Sequence, residues 1–428
     1  MPPPGPTEAP STAGKTDPYA VLRNRDLRLY FIARLVAIVG QQMFATALGW
    51  EIYERTGSAL ALGFVGLTQV VPMILWTLPA GHFADSYNRK RIIVLMTLLI
   101  AAANVGLAII SAARAPVFLI YLCLVVTGTA RTFLAAASAS FLPQLVERKE
   151  LSRAVTWSAS IFQASSIIGP VAGGKLLHLT NHAAPIYALN VIAAVVCAIL
   201  IARLRIHHVP VVAEKMSLKT LLTGFSFVFT NRIILGVISL DMFAVLLGGA
   251  TALLPVYTKE ILHVEADGLG LLQAALPLGA ILCSFVLAHR PPLQKAGRSL
   301  LLAVTVFGVA TIGFGLSHWF WLSFLLLFTC GAADNVSVVV RHTLVQLLTP
   351  NEKRGRVSAV NNLFIGTSNE LGEFESGTVA HWFGPALGNT IAFGAVISVV
   401  SGGVGTILVV LGVAWLWPEI RKYGRLDA

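Results

Sequence analysis

The sequence predicts an all-α, polytopic membrane protein with twelve transmembrane helices in two pseudo-symmetric halves of six. Three observations predict this fold class. The mean hydropathy is +0.77, and charged residues make up 12% of the 428 residues, about half the share found in soluble domains. Apolar stretches of about 20 residues, long enough to cross a bilayer as helices, recur along the chain. Residues of the second half also repeat those of the first at a nearly constant offset.

The twelve predicted helices fill most of the chain and are joined by short polar turns. The expected spans are 28–53, 58–80, 91–112, 116–141, 153–178, 184–205, 232–261, 267–288, 298–317, 319–345, 356–383 and 386–417. They define a six-helix bundle over residues 17–206 and another over 232–418. Residues 1–16 form a predicted disordered tail without a cleavable signal peptide, and 419–428 a cytoplasmic tail. The linker 207–231 is predicted to hold an amphipathic helix from Leu218, or an extension of helix seven.

Basic residues determine the predicted orientation, with both termini in the cytoplasm. On the outer side lie only Arg55, Arg114, Lys175 and Lys259. Arg34 and Arg131 lie inside helices, and the remaining Lys and Arg residues fall on the cytoplasmic side, as the positive-inside rule requires. This distribution explains the net charge of +11 without a nucleic-acid partner.

The two halves repeat each other. At an offset of 203 residues the matches are Arg153 with Arg356, Ser165 with Ser368, Gly169 with Gly372 and Gly174 with Gly377. Parallel repeats of this kind occur in transporters, where the substrate site lies between the halves near the membrane midplane.

A short charged stretch, residues 81–91, separates helices two and three. Asp85 precedes Arg89 by four residues, a spacing suited to a charge-assisted bond. The stretch resembles the loop between helices two and three of the major facilitator superfamily, with the pattern G-x-L-A-D-R-x-G-R-K. The matching residues are Gly81, Ala84, Asp85, Arg89 and Lys90, and the departures are Phe83, Ser86 and Asn88. The resemblance implies a cytoplasmic gate containing Gly81, Asp85, Arg89 and Lys90; an ordinary charged turn is the alternative.

Helix five carries Gly169, Pro170, Gly173 and Gly174. Small residues allow helices to approach closely, and proline kinks a helix. The run resembles the antiporter motif G-P-x-x-G-G of the superfamily, which implies an exporter that exchanges substrate for protons. Ser165 departs from the glycine of that motif, and a kinked helix without coupling is the alternative.

Charges at membrane depth mark candidate functional residues, because each costs on the order of 2.5–3.5 kcal/mol. They are Arg34, Glu51, Arg131, Asp241, Asp334, Glu370, Glu373 and Glu375. Glu370 and Glu373 share a helix face, and two close carboxylates in a low dielectric do not both ionise readily.

Our hypothesis is that Glu370 and Glu373 carry a coupling proton, with Asp241 or Asp334 as alternatives. Arg131 is the natural counter-charge. Arg34 and Glu51 are further cavity charges, although anchoring at the membrane interface is an alternative role for Glu51. Structural ion pairing is the general alternative for these residues.

The motifs of enzymes and ATPases are missing from the sequence. It has no G-x-x-x-x-G-K-[ST], H-E-x-x-H, C-x-x-C or G-x-S-x-G, and no metal or cofactor is predicted. Residues 47–58 and 344–350 are similar to a bacterial branch of the superfamily that contains enterobactin-type siderophore exporters and macrolide efflux proteins.

This resemblance implies a monomer in the bacterial cytoplasmic (inner) membrane that exports small amphipathic molecules by alternating access with proton antiport. The alternatives are a proton symporter, a lipid flippase of the same fold and a transport-dead membrane sensor. An enzyme is not expected.

Overall fold

A computed structural model describes residues 20–424 except 140, 148–149, 206–224, 292–293 and 351–352, and these described residues are helical with no β-strand. The first six long helices are α1 (Arg25–Thr56), α2 (Ala59–Ser86), α3 (Arg89–Ala112), α4 (Val117–Ala139), α5 (Leu151–Thr180) and α6 (Ala184–Ala202). The next six are α7 (Arg232–Leu247), α8 (Ala266–Ala288), α9 (Ala296–Leu316), α10 (Phe320–Leu348), α11 (Arg354–Phe383) and α12 (Ile391–Leu416). A short α13 (Pro418–Lys422) follows.

Within the described part of the chain, ten helices are long and apolar enough to cross a membrane, which confirms a multi-pass membrane protein. The other two long helices, α5 and α11, have 30 residues each but are more polar. Both pack against the opposite half, α5 on α8 and α11 on α2. A helix that packs on protein over much of its surface tolerates polar residues that a lipid-facing helix would not.

Helix packing follows the predicted repeat. In the first half α1 packs on α5 and α6, α3 on α4 and α6, and α2 on α4. In the second half α7 packs on α11 and α12, α9 on α10 and α12, and α8 on α10. Each of these contacts in the first half therefore has its counterpart six helices later, which confirms two pseudo-symmetric halves.

The boundaries of helix two differ from the prediction. Residues 81–86 belong to α2, and α3 begins at Arg89, so the connection contains only Tyr87 and Asn88. The Tyr87 N–H donates to the carbonyl of Phe83 and ends α2, while the Asn88 side chain accepts from the N–H of Arg91 and caps α3. The predicted charged loop is thus two helix ends joined by a tight turn.

Helix seven is interrupted, although its sequence predicts a continuous span. The regular helix ends at Leu247, followed by Gly248, and the chain continues as a 3-10 turn, Ala250–Leu253, and irregular helical turns to Ile261. A Cβ on Gly249 would lie 2.6 Å from the carbonyl oxygen of Gly372 in α11. Only glycine permits so close an approach of two backbones.

The predicted domain boundaries remain predictions. The tail 1–16 and the linker helix from Leu218 to residue 224 lie outside the described residues, and residues 225–230 are helical.

Candidate functional site

The bundle has two ends that the charge distribution distinguishes. We call the end that carries Tyr87 and Asn88 the basic end, and the opposite end, at the turn between α1 and α2, the far end. Polar contacts join the two halves at the far end and just inside it. They are Tyr53 Oη to Glu260 Oε1 at 2.9 Å, Thr46 Oγ1 to Gln273 Oε1 at 2.5 Å, and a side-chain contact of His178 Nδ1 with Glu265 Oε2.

Glycine backbones bring the halves together at the far end. A Cβ on Gly377 of α11 would lie 2.8 Å from the Cα of Gly63 in α2. A Cβ on Gly174 of α5 would lie 3.0 Å from the Cα of Gly270 in α8. Such separations leave no space for a side chain, so the far end is closed by backbone packing.

Three adjoining cavities meet at Arg131. The far cavity, about 180 Å³, lies on the far-end side and contains Glu373. The basic cavity, about 360 Å³, lies between α2, α4 and α11 towards the basic end and contains Glu370. The side cavity, about 220 Å³, lies between α1, α3, α4 and α6 and contains Arg34. Arg131 lines all three.

The structure brings Glu370, Glu373 and Arg131 together at the boundary between the halves. The Arg131 guanidinium donates to Oε1 of Gln69 at 2.5 Å, and its positive charge acts on both carboxylates. A Cβ on Gly66 of α2 would lie 2.9 Å from Glu373 Cβ, so α2 packs directly against this part of α11. Oε2 of Glu370 is buried with no hydrogen-bond partner among the described residues. The site therefore contains two half-buried carboxyl groups and one exposed cation along cavities between the halves.

The alternative carriers lie elsewhere. Asp241 of α7 forms an ion pair with Arg341 of α10, and both side chains are buried. Such an ion pair is the structural role that we gave above as the alternative for Asp241. Asp334 lies half-buried on α10 and, like Asp241, lines none of the three cavities.

Glu51 is a buried member of a polar network in the first half. It accepts a hydrogen bond of 2.7 Å from Tyr187 Oη and pairs with Arg55 at 3.1 Å. It lines none of the three cavities described above, and its role as a cavity charge remains a prediction. Its helix face turns towards α6, where Tyr187 satisfies the carboxylate.

The residues predicted to form the cytoplasmic gate make contacts within the first half. Asp85 and Arg89 are 3.7 Å apart, and the Arg89 Nε–H donates to the carbonyl of Ala84. Lys90 Nζ donates to the carbonyl of Leu204 at 2.8 Å, which ties α3 to the end of α6. Gly81 is buried in α2. Their role in a gate between the halves remains a prediction.

The motif on α5 places one helix against two others. Gly169 and Gly173 pack against Gln42 and Met43 of α1, whereas Gly174 packs across the boundary on α8. The Pro170 carbonyl faces Gly270 of α8. The repeat reproduces this arrangement in α11, where Gly372 contacts α7 and Gly377 contacts α2. The motif thus permits the close packing between the halves.

Sequence reasoning missed the uncharged polar residues of the site. Gln69 accepts a hydrogen bond from Arg131, and Gln273 joins α8 to α1. Asn190 lines the side cavity, and its buried Nδ2 has no hydrogen-bond partner among the residues that the structure describes. An amide inside an apolar helix is a detectable signal, but a search restricted to charges passes over it. Among the described residues no group of three His, Cys, Asp or Glu side chains is placed to bind a metal.

Comparisons with known proteins show what the chain is similar to. A family model described as Major Facilitator Superfamily matches residues 30–372. The enterobactin exporter EntS of Citrobacter koseri is 28% identical over 403 residues, which covers 92% of each chain. The enterobactin exporter EntS of Escherichia coli O157:H7 is 28% identical over 340 residues, 78% of this chain and 80% of the exporter.

Solved structures share the fold. A bacterial homolog of the human lysosomal transporter Spinster, in an inward-facing and unoccupied conformation, has a TM-score of 0.72 at 15% identity and covers 94% of this chain and 98% of its own. A POT family transporter in complex with 5-aminolevulinic acid has a TM-score of 0.72 at 12% identity, with coverages of 93% and 97%.

Proposed function

The chain belongs to the Major Facilitator Superfamily, and from that premise we propose that it is a proton antiporter that exports small amphipathic organic molecules, siderophores or drug-like compounds. The family consists of transporters, so the chain is a transporter and not an enzyme. Relatives with 28% identity are named enterobactin exporters, which supports outward transport and a siderophore as the first substrate to test. The glycine and proline motif on α5 supports the same direction.

The proposed location is the bacterial inner membrane, with the basic end in the cytoplasm. The excess of Lys and Arg at that end supports this orientation. In it, the closed far end faces outwards, and Arg131 is exposed to the cavities that lie towards the cytoplasm. These features support an inward-facing conformation, ready to receive substrate from the cytoplasm.

The position of the two glutamates carries the proposal of proton coupling. Glu373 lines the far cavity and Glu370 lines the basic cavity, and residues three apart on a helix are separated by about 4.5 Å along its axis. A proton that enters from outside reaches Glu373, and a proton that leaves to the cytoplasm departs from Glu370. Arg131 attracts both carboxylates, so the electrostatic interaction between the guanidinium and the two groups depends on whether they are charged.

The cavities around Arg131 suit an amphipathic molecule. Drug-sized ligands occupy sites of about 300–1,000 Å³ with mostly apolar walls and a few polar groups. The basic cavity has this size and composition, with Met73, Ala135 and Leu363 beside Arg131 and Glu370. The adjoining far cavity extends it towards the outer end.

Transport by the purified protein in liposomes tests the proposal. Enterobactin and a macrolide serve as substrates, with an imposed pH gradient as the driving force. We expect flux of at least one compound that stops when the gradient is dissipated. The double variant Glu370→Gln, Glu373→Gln should lose gradient-driven flux. Glu375→Gln, on the same helix but outside the three cavities, should keep it.

Two results would overturn the proposal. One is flux that does not respond to the pH gradient, which would indicate facilitated diffusion. The other is binding of substrate without flux under any gradient, which would indicate a sensor.

A further inference from the structure

We propose that the side cavity is a subsite for a planar oxyanion, such as a carboxylate group of the transported molecule. The cavity lies within the first half, between α1, α3, α4 and α6. This inference rests on the proposed transport function, because it assigns the chemical class of one part of the substrate.

Two arginines give the cavity its charge. Arg34 of α1 and Arg131 of α4 both line it. Arg34 lies nine residues from the basic end of α1, a distance of about 14 Å at ~1.5 Å per residue. Arg131 lies eight residues from the basic end of α4, a distance of about 12 Å. The two guanidinium groups are therefore at similar depth on helices that face one cavity.

The fifteen lining residues, all within the described part of the chain, include no Asp or Glu. The polar ones besides the arginines are Tyr30, Gln41, Thr97, Ser138 and Asn190, all of which can donate hydrogen bonds to an anion. The cavity thus presents positive charge and donors without a carboxylate of its own.

Two hydrogen-bond donors of the residues that line this cavity are buried without an acceptor among the described residues. Nε of Arg34 and Nδ2 of Asn190 lack a hydrogen-bond partner among the described residues. Buried donors are normally satisfied, and each unsatisfied one calls for an explanation. A bound oxyanion would supply acceptors to both.

Two other arginines of the helices are paired with carboxylates. Arg55 pairs with Glu51, and Arg341 pairs with Asp241. Arg34 has no such partner among the described residues, although the half of the protein that contains it includes Glu51 and Asp85. The fixed fork of a guanidinium matches the two oxygens of a carboxylate, which makes an arginine without a carboxylate partner a suitable receptor for one.

The position of the cavity suits a substrate subsite. It shares Gln41 and Arg131 with the far cavity, so a molecule held between the halves can extend an acidic group into it. The remaining walls are apolar, among them Ile38, Ile93 and Leu134. They can pack against the carbon atoms that carry the oxyanion.

Binding of benzoate and of its neutral analogue benzamide to the purified protein tests the proposal. Saturation-transfer NMR and titration provide the dissociation constants without any need for flux. We expect benzoate to bind at least tenfold more tightly than benzamide. Arg34→Gln should remove this preference, and Arg34→Lys should keep part of it, because the charge remains while the fork is lost.

Arg28→Gln is the matched control. Arg28 is exposed on the same helix, six residues nearer the basic end, and does not line the cavity. Should Arg34→Gln fail to fold, Asn190→Asp provides a nearly isosteric test, because it places a carboxylate in the cavity and should abolish the preference for benzoate.

Equal affinities for benzoate and benzamide would overturn the proposal. So would equal losses in Arg28→Gln and Arg34→Gln. Benzoate binding that depends on Arg34, together with an absence of gradient-driven flux, would uphold the subsite and contradict the transport proposal. Gradient-driven flux without any preference for benzoate would uphold the transport proposal and contradict the subsite.

Discussion

The hydroxyl of Tyr53 donates a 2.9 Å hydrogen bond to Oε1 of Glu260, across the boundary between the two halves. Tyr53 lies in the last turn of α1, and Glu260 lies in the irregular continuation of α7. Alternating access requires this end to separate when the opposite end closes. In the proposed transport cycle this bond therefore breaks and forms again with each turnover.

Removal of this bond should favour opening of the far end. Tyr53→Phe loses a hydrogen bond to a charged acceptor, worth about 1.5 kcal/mol, which corresponds to about a tenfold rise in the open population. Hydrogen–deuterium exchange of the backbone amides near residues 53–60 and 257–265 should become faster. Glu260→Gln is the control, because glutamine keeps an oxygen that accepts from Tyr53. Unchanged exchange in Tyr53→Phe would show that the bond does not stabilise the closed end.

The glycines between the halves should be required for closure of the far end. Gly174→Ala and Gly377→Ala place a methyl group against backbone atoms of α8 and α2, and overpacking of this kind costs about 1–3 kcal/mol. We expect transport to slow about tenfold or more while the protein level is retained. Gly412→Ala on α12 is the control, since its Cβ would meet no atom of the described residues within 4 Å. Equal rates in all three variants would contradict the proposed closure.

The buried pair of Asp241 and Arg341 should stabilise the fold without carrying the proton. Asp241→Asn leaves a buried guanidinium without its counter-charge and should destabilise the protein by about 3–5 kcal/mol. The double variant Asp241→Leu, Arg341→Met should recover most of that stability, as measured by thermal unfolding. It should also retain gradient-driven flux, and loss of flux in this stable double variant would assign Asp241 a role in coupling.

Asp85 should affect transport more than stability. Its side chain is 21% exposed and 3.7 Å from Arg89, and partly solvated pairs contribute little to the free energy of unfolding. We expect Asp85→Asn to slow flux without lowering the amount of protein in the membrane. Asp26→Asn, also at the basic end and bonded to the N–H of Arg205, is the comparison variant. Parallel losses of flux and protein level in Asp85→Asn would indicate a purely structural role.

The sequence predicts the fold well, because membrane helices are marked by length and hydropathy. The predicted start of α11 at residue 356 is two residues from the observed Arg354. The observed start of α12, Ile391, lies five residues after the predicted start at 386. Residues 385–390 form a turn, and the Thr390 side chain caps α12 by accepting a hydrogen bond from the N–H of Phe393. Hydropathy alone does not detect such a cap.

The candidate site is predicted only in part. Arg131, Glu370 and Glu373 lie close enough for the guanidinium charge to act on both carboxyl groups, and their role in proton coupling remains a prediction. Asp241 and Glu51 find partners within their own halves. Those partners lie 100 and 136 positions away along the chain, and spacing along a sequence does not reveal them.

Proton release on substrate binding most directly tests the central claim that Glu370 and Glu373 couple transport to protons. The purified protein is mixed with enterobactin in weakly buffered solution, and the pH is followed with a dye. The account predicts about one proton released per bound molecule, and no release from the double variant Glu370→Gln, Glu373→Gln although it still binds. Binding without release in the unaltered protein, or equal release from the double variant, would contradict it.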